Sequence, residues 1–148
     1  MKLAEWCMSI DTNKSKLKVI LDTNILISAI GFGGKPRKIL QLVLNKQIQA
    51  ITSPVLMVEF QDIIFKKFPL LAEKCEKIQI LIKRKTKLVN PKVSLHILKD
   101  EPDNRVLEAA STGQCQYIIT GDRELLQLRN YKRIKILNAD QFLQIFEK

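Results

Sequence analysis

With 148 residues, 46% hydrophobic and 27% charged, the chain has the size and composition of one globular domain. Its 25 Lys and Arg against 15 Asp and Glu give a formal charge of +10, which favours an anionic partner and is silent on fold. Three widely spaced cysteines (Cys7, Cys75, Cys115) and a single histidine, His96, argue against a disulfide framework or a Cys/His metal site and point to a reducing compartment.

Residues 1–16 read as a polar extension before a single domain, 17–148. Met1–Ile10 carries Glu5 and no continuous apolar run, so it is not expected to be a signal peptide. No stretch reaches the roughly 18 apolar residues that a membrane span requires, and a cytoplasmic protein is expected.

Leu17–Leu21 is short, apolar and β-branched, which suits a buried parallel strand. A helical pattern, Ile25–Ile30, follows, and Gly31-Phe32-Gly33-Gly34 breaks it. That turn lacks the Gly-Lys-Ser/Thr ending of a phosphate-binding P-loop. Pro36 suits the first turn of a helix running through Asn45. Ile48–Thr52 reads as a second strand, and Ser53-Pro54 as a capped helix start reaching about Lys67. After Pro69, the stripe Leu71, Cys75, Ile78 and Ile82 marks another helix. Between Thr86 and Lys99 we expect a loop, with alternating Val93, Leu95 and Ile97 as a candidate strand. Asp103–Ser111 is helical, Gln116–Thr120 a strand, Asp122–Leu128 a short helix and Ile134–Leu137 a last strand. Asn138 with Gln141 three residues on forms a capping box for a final helix. Alternating strands and helices predict an α/β fold with a mostly parallel sheet.

Four acids then draw notice: Asp22, Glu59, Asp103 and Asp122. In one parallel α/β layer, strand ends meet along a single edge. Taken singly, each aspartate is also explained as a helix cap or a first-turn complement to the helix dipole. Glu59 lies too deep in its helix to cap, with Val55 and Ile63 four residues away on its own face. Two carboxylates about 4 Å apart repel by roughly 4 kcal/mol at an effective dielectric near 20, so a cluster calls for a cation. Oxygen-only ligation suits Mg²⁺ or Mn²⁺, one ion or two, and phosphodiester hydrolysis on such an ion needs neither His nor Cys.

In order and spacing, Leu21-Asp22-Thr23-Asn24, Val58-Glu59-Phe60, Asp100-Glu101-Pro102-Asp103-Asn104-Arg105 and Ile119-Thr120-Gly121-Asp122-Arg123-Glu124 resemble the PIN-domain ribonucleases. The resemblance is closest to their VapC-like branch, the toxins of toxin–antitoxin pairs. It implies a three-layer α/β/α sandwich and a metal-dependent endoribonuclease acting on single-stranded or structured RNA. Asp22, Glu59, Asp103 and Asp122 would be both the catalytic and the metal-binding acids, with Asn24, Asp100 and Thr120 in support. A small antitoxin and a homodimer are implied as partners. Asp103 is preferred over Asp100 as the third acid because it keeps the helix-start spacing to Val106 and Leu107.

Positive charge concentrates between Lys66 and Lys92, which contributes +7 of the +10. Lys66, Lys67, Lys83, Arg84, Lys85 and Lys87 are candidate contacts for an RNA backbone, since phosphate contacts supply most sequence-independent affinity. A solvated helix face explains the same run. Two rivals remain. One is a catalytically silent RNA-binding or protein-interaction module on the same scaffold. The other is a phosphotransfer domain, for which Asn24 stands where a phosphatase of the haloacid-dehalogenase type would place a second aspartate.

Overall fold

The computed structural model describes residues 16–148, so all of the expected extension except Lys16 lies outside the described residues. The chain runs β1 (Lys18–Leu21), α1 (Thr23–Gly31), α2 (Gly34–Leu44), β2 (Gln49–Thr52), α3 (Pro54–Lys67), a 3-10 turn (Pro69–Leu71), α4 (Ala72–Lys85) and β3 (Thr86–Leu88). It continues with α5 (Glu101–Thr112), β4 (Tyr117–Ile119), α6 (Arg123–Leu128), β5 (Asn130–Tyr131), β6 (Ile134–Leu137) and α7 (Ala139–Phe146).

One six-stranded sheet has the order β3-β2-β1-β4-β6-β5, parallel except for the β5–β6 edge pair. The short central strands are buried on both faces, as their apolar runs require. Ile20, Ile51, Ile118 and Ile136 face Val106, Leu107 and Ala110 of α5 and Leu125 of α6. Val19, Leu21, Ala50 and Ile119 face Ile25, Ile39, Val43 and Phe142 of α1, α2 and α7. Helices on both faces of the sheet make three α/β/α layers. A further apolar cluster, with Met57, Phe60 and Ile64 of α3 and Cys75 and Ile82 of α4, binds those helices to α1 and α2.

Local chemistry sets the breaks. Gly33 and Gly34 hold φ of 84° and 64°, which non-glycine residues rarely adopt, and turn the chain from α1 into α2. Ser53 caps α3 by accepting from the Leu56 amide, with Pro54 at the first helical position. Asn138 and Gln141 form both hydrogen bonds of the capping box. No helix among the described residues is long and apolar enough to cross a membrane.

The expected strand through Val93, Leu95 and Ile97 does not form. Val93 is 68% and Ile97 47% exposed, so the alternation does not line a buried face. The segment is tied to α5 instead. Asn104 Oδ1 accepts from the Ile97 and Leu98 amides, and Glu108 Oε2 accepts from the Leu95 amide. The strand lies earlier, at Thr86–Leu88, where largely exposed residues pair as an edge with β2.

Candidate metal centre

The chain leaves β1 for β2 and β3 on one side and later places β4 and β6 on the other, so the order reverses between β1 and β4. Open α/β sheets bind ligands at the carboxyl ends of the strands at such a switch point. Asp22 follows β1 and Asp122 lies just beyond β4, whose ladder pairs Leu21 with Ile119. The Asp22 amide donates to the Ile119 carbonyl at 2.9 Å, which extends the pairing to the acid itself. Helix α5 leads into β4, so its first turn, with Asp100 and Asp103, returns to the same edge. Helix α3 leaves that edge after β2 and brings Glu59.

Asp22, Asp100 and Asp122 hold the N-cap positions of α1, α5 and α6. Only Asp122 caps with its side chain, one oxygen accepting from the Glu124 amide at 2.8 Å and the Leu125 amide at 3.2 Å. Capping therefore accounts for one oxygen of Asp122 and for no side-chain oxygen of Asp22 or Asp100. The helix starts still favour negative charge through their dipoles, which offsets part of the repulsion.

Asp100, Asp103 and Asp122 each offer a carboxylate oxygen within 4.8 Å of the other two. Asp100, expected in support, thus stands beside Asp103 in the tightest group. Asp22 is buried, and Thr120 Oγ1 donates to its Oδ2 at 2.6 Å. The same hydroxyl accepts from the Asp122 amide at 2.9 Å, so Thr120 ties two acids together. Glu59 accepts from Thr23 Oγ1 at 2.6 Å. The apolar setting expected for Glu59 does not form, because Val55 is 51% exposed and Glu59 itself is only half-buried. Asn24 is exposed in the first turn of α1 and makes no side-chain hydrogen bond to the acids among the described residues.

Burial raises the Asp103 carboxyl from its ordinary 3.8 to about 7, and the charges of Asp122, Asp22, Asp100 and Glu124 push the same way. Burial also raises Asp22, opposed by the Thr120 hydrogen bond and reinforced by Glu59 and Asp122. Asp103 Oδ2 is buried with no hydrogen-bond partner. A buried polar atom without a partner costs about 1–3 kcal/mol, so this oxygen is set up for a ligand. Oxygen-only donors with one orphaned carboxylate oxygen fit a hard divalent cation such as Mg²⁺ or Mn²⁺.

Sequence reasoning passed over Glu124 and Thr23. Glu124 accepts from the Asp100 amide at 3.3 Å and adds charge beside Asp103. Each lies within two residues of a chosen acid in the chain (two after Asp122, one after Asp22), and that proximity was the available signal.

Arg84, Lys85 and Lys87 are carried elsewhere. They line a cleft beside the amino-terminal ends of β2 and β3, at the sheet edge opposite the acids. Lys83 borders a different cleft, against Met57, Val58 and Leu88. Lys66 and Lys67 close α3, seven or eight residues and roughly 10 Å of helix rise beyond Glu59.

A family model described as PIN domain matches residues 18–124, a span that includes all four ordered acids. An uncharacterized protein of Methanocaldococcus jannaschii is 32% identical over 148 aligned residues, covering 91% of this chain and 95% of that protein. The fold is similar to that in the crystal structure of VapBC2 from Rickettsia felis bound to a DNA fragment from their promoter. The TM-score is 0.59 and the identity 14%, over 82% of this chain and 98% of that one. At that identity the likeness is one of fold. PIN domains are generally nucleases and generally use divalent metals. Matched over most of its length, the chain belongs to the PIN domain family.

Proposed function

We propose that the protein is a divalent-metal-dependent endoribonuclease whose acids are Asp22, Glu59, Asp103 and Asp122, joined by Asp100. The observation that carries this reading is the carboxyl group at the switch point, with Asp103 Oδ2 buried and unpartnered. Asp100, Asp103 and Asp122 would hold the cation, with Asp22 beside them. A bound Mg²⁺ or Mn²⁺ supplies Lewis acidity toward a phosphodiester and acidifies water. Thr120 fixes the Asp22 carboxylate and the Asp122 backbone relative to each other. Thr23 fixes Glu59. Asp122 anchors one oxygen on the start of α6 and leaves the other free of side-chain and backbone partners among the described residues. The +10 charge favours a polyanionic substrate, and the ribonuclease resemblance makes that substrate RNA.

The fold likeness to the VapBC2 assembly supports placing the chain as the toxin of a toxin–antitoxin pair, held by a small antitoxin. Asp22→Asn keeps the size of a buried side chain and should remove Mn²⁺-dependent cleavage of RNA while the fold persists. The same variant should relieve growth arrest on expression. Undiminished cleavage by a highly purified variant would overturn the assignment of Asp22.

A further inference from the structure

Most of the positive charge between Lys66 and Lys92 is left unexplained by the acidic site. Part of it converges where β2 and β3 begin. There Lys16, Lys46, Arg84, Lys85 and Lys87 line one cleft of 410 Å³. No acid lines it, and none of the five cations takes part in an ion pair among the described residues. Gln49 and Thr86 complete its polar rim.

Cations are favoured near helix C-termini, which accounts for Arg84 and Lys85 in the last turn of α4 and for Lys46 just past α2. It does not account for Lys87, within β3, or for Lys16, before β1. Five like charges in one cleft, with no counter-charge, constitute a local field of the sign that attracts phosphate. The cleft's volume lies within the range of sites that hold small ligands or single units of a polymer. Strands of three or four residues, at about 3.3 Å each, put it roughly 10–13 Å or more from the carboxylates.

We infer that this cleft is a second nucleic-acid contact, an exosite that grips the phosphodiester backbone of a single strand at the sheet edge opposite the acids. The nuclease reading supplies only the preference for RNA; the charge argument applies to the backbone of either nucleic acid. The occupant is recognised through phosphate, so affinity depends on salt and little on base identity. Few aromatic side chains are present for stacking, at 6% of the chain.

The test measures fluorescence anisotropy of the full chain with a labelled oligouridylate blocked at its 2′-hydroxyls, in EDTA. Lys85→Gln with Lys87→Gln should weaken binding about tenfold and lower the slope of log affinity against log salt by about 1.4, near 0.7 per lost contact. Lys148→Gln, an exposed position outside the cleft, should leave both quantities unchanged. A DNA oligomer run in parallel reports whether the grip needs ribose. Equal weakening for both strands identifies the shared backbone as the ligand. If the double variant fails to fold, acetylation rates of Lys46, Lys85 and Lys87 in the wild type provide the readout. They should slow when the oligomer binds while Lys148 reacts as before. Unchanged affinity and slope in a folded variant, or unprotected lysines under saturating oligomer, would overturn the exosite. Cleavage of a dinucleotide too short to span the two edges should survive the double substitution. Loss of metal-dependent cleavage by the wild type itself would count against the nuclease reading and leave the binding test intact.

Discussion

Thr120 Oγ1 donates to Asp22 Oδ2 at 2.6 Å and accepts from the Asp122 amide at 2.9 Å, so one buried hydroxyl joins the acids that follow two adjacent strands. Thr120→Val keeps the shape and removes both bonds. It leaves a buried carboxylate oxygen and a backbone amide without a partner, a cost of about 1–3 kcal/mol for each unsatisfied group. Urea unfolding should show that loss, and Thr120→Ser should recover most of it. Equal stability for Val and Ser would show that the hydroxyl does not support the pair.

Proton linkage follows from Asp103, which titrates at about 7 when folded against an ordinary 3.8. Between those values the folded protein holds more protons than the unfolded chain, so this group's contribution to stability falls as pH rises through the window. Without added metal, the thermal midpoint of wild type relative to Asp103→Asn should therefore decline from about pH 4 to pH 7 and level off above. A difference that stays constant across the window would contradict the raised carboxyl.

Cation binding works against that proton. Adding Mn²⁺ at a hundred times its dissociation constant should raise stability by about 2.7 kcal/mol if only the native state binds it. The rise should be larger at pH 8 than at pH 5.5, because Asp103 must first be deprotonated. Asp103→Asn should remove most of the effect. A midpoint indifferent to Mn²⁺ and Mg²⁺ would mean that the acids are not a preorganised cation site.

Asn104 is fully buried and holds the segment leading to Asp100, accepting from the Ile97 and Leu98 amides and donating to the Leu98 carbonyl. Asn104→Ala breaks three bonds at once and should cost more than the roughly 1 kcal/mol of one typical hydrogen bond. Amide hydrogen exchange at Ile97 and Leu98 should accelerate far more than in the β1–β4 core. Exchange that accelerates evenly across the chain would assign Asn104 a global packing role instead.

By itself the sequence determined the layers. Apolar β-branched runs at Val19–Leu21 and Tyr117–Ile119 can be satisfied only by burial on both sides, and Ser53-Pro54 and Asn138-x-x-Gln141 specify helix starts through their own hydrogen bonds. Those are local matters, and neighbours in the chain decide them. Strand β3 escaped because an exposed edge carries no burial pattern. The alternation at Val93–Ile97 misled because Asn104 and Glu108 of α5 satisfy that backbone instead of a ladder. Tertiary structure alone decided which acids meet. Asp100 joins Asp103 and Asp122 because the start of α5 folds back to the end of β4. Arg84, Lys85 and Lys87 part from the acids because residues at the start of a strand and residues after its end lie at opposite edges of a parallel sheet. Linear spacing records neither fact, since both follow from the direction in which each strand crosses the sheet.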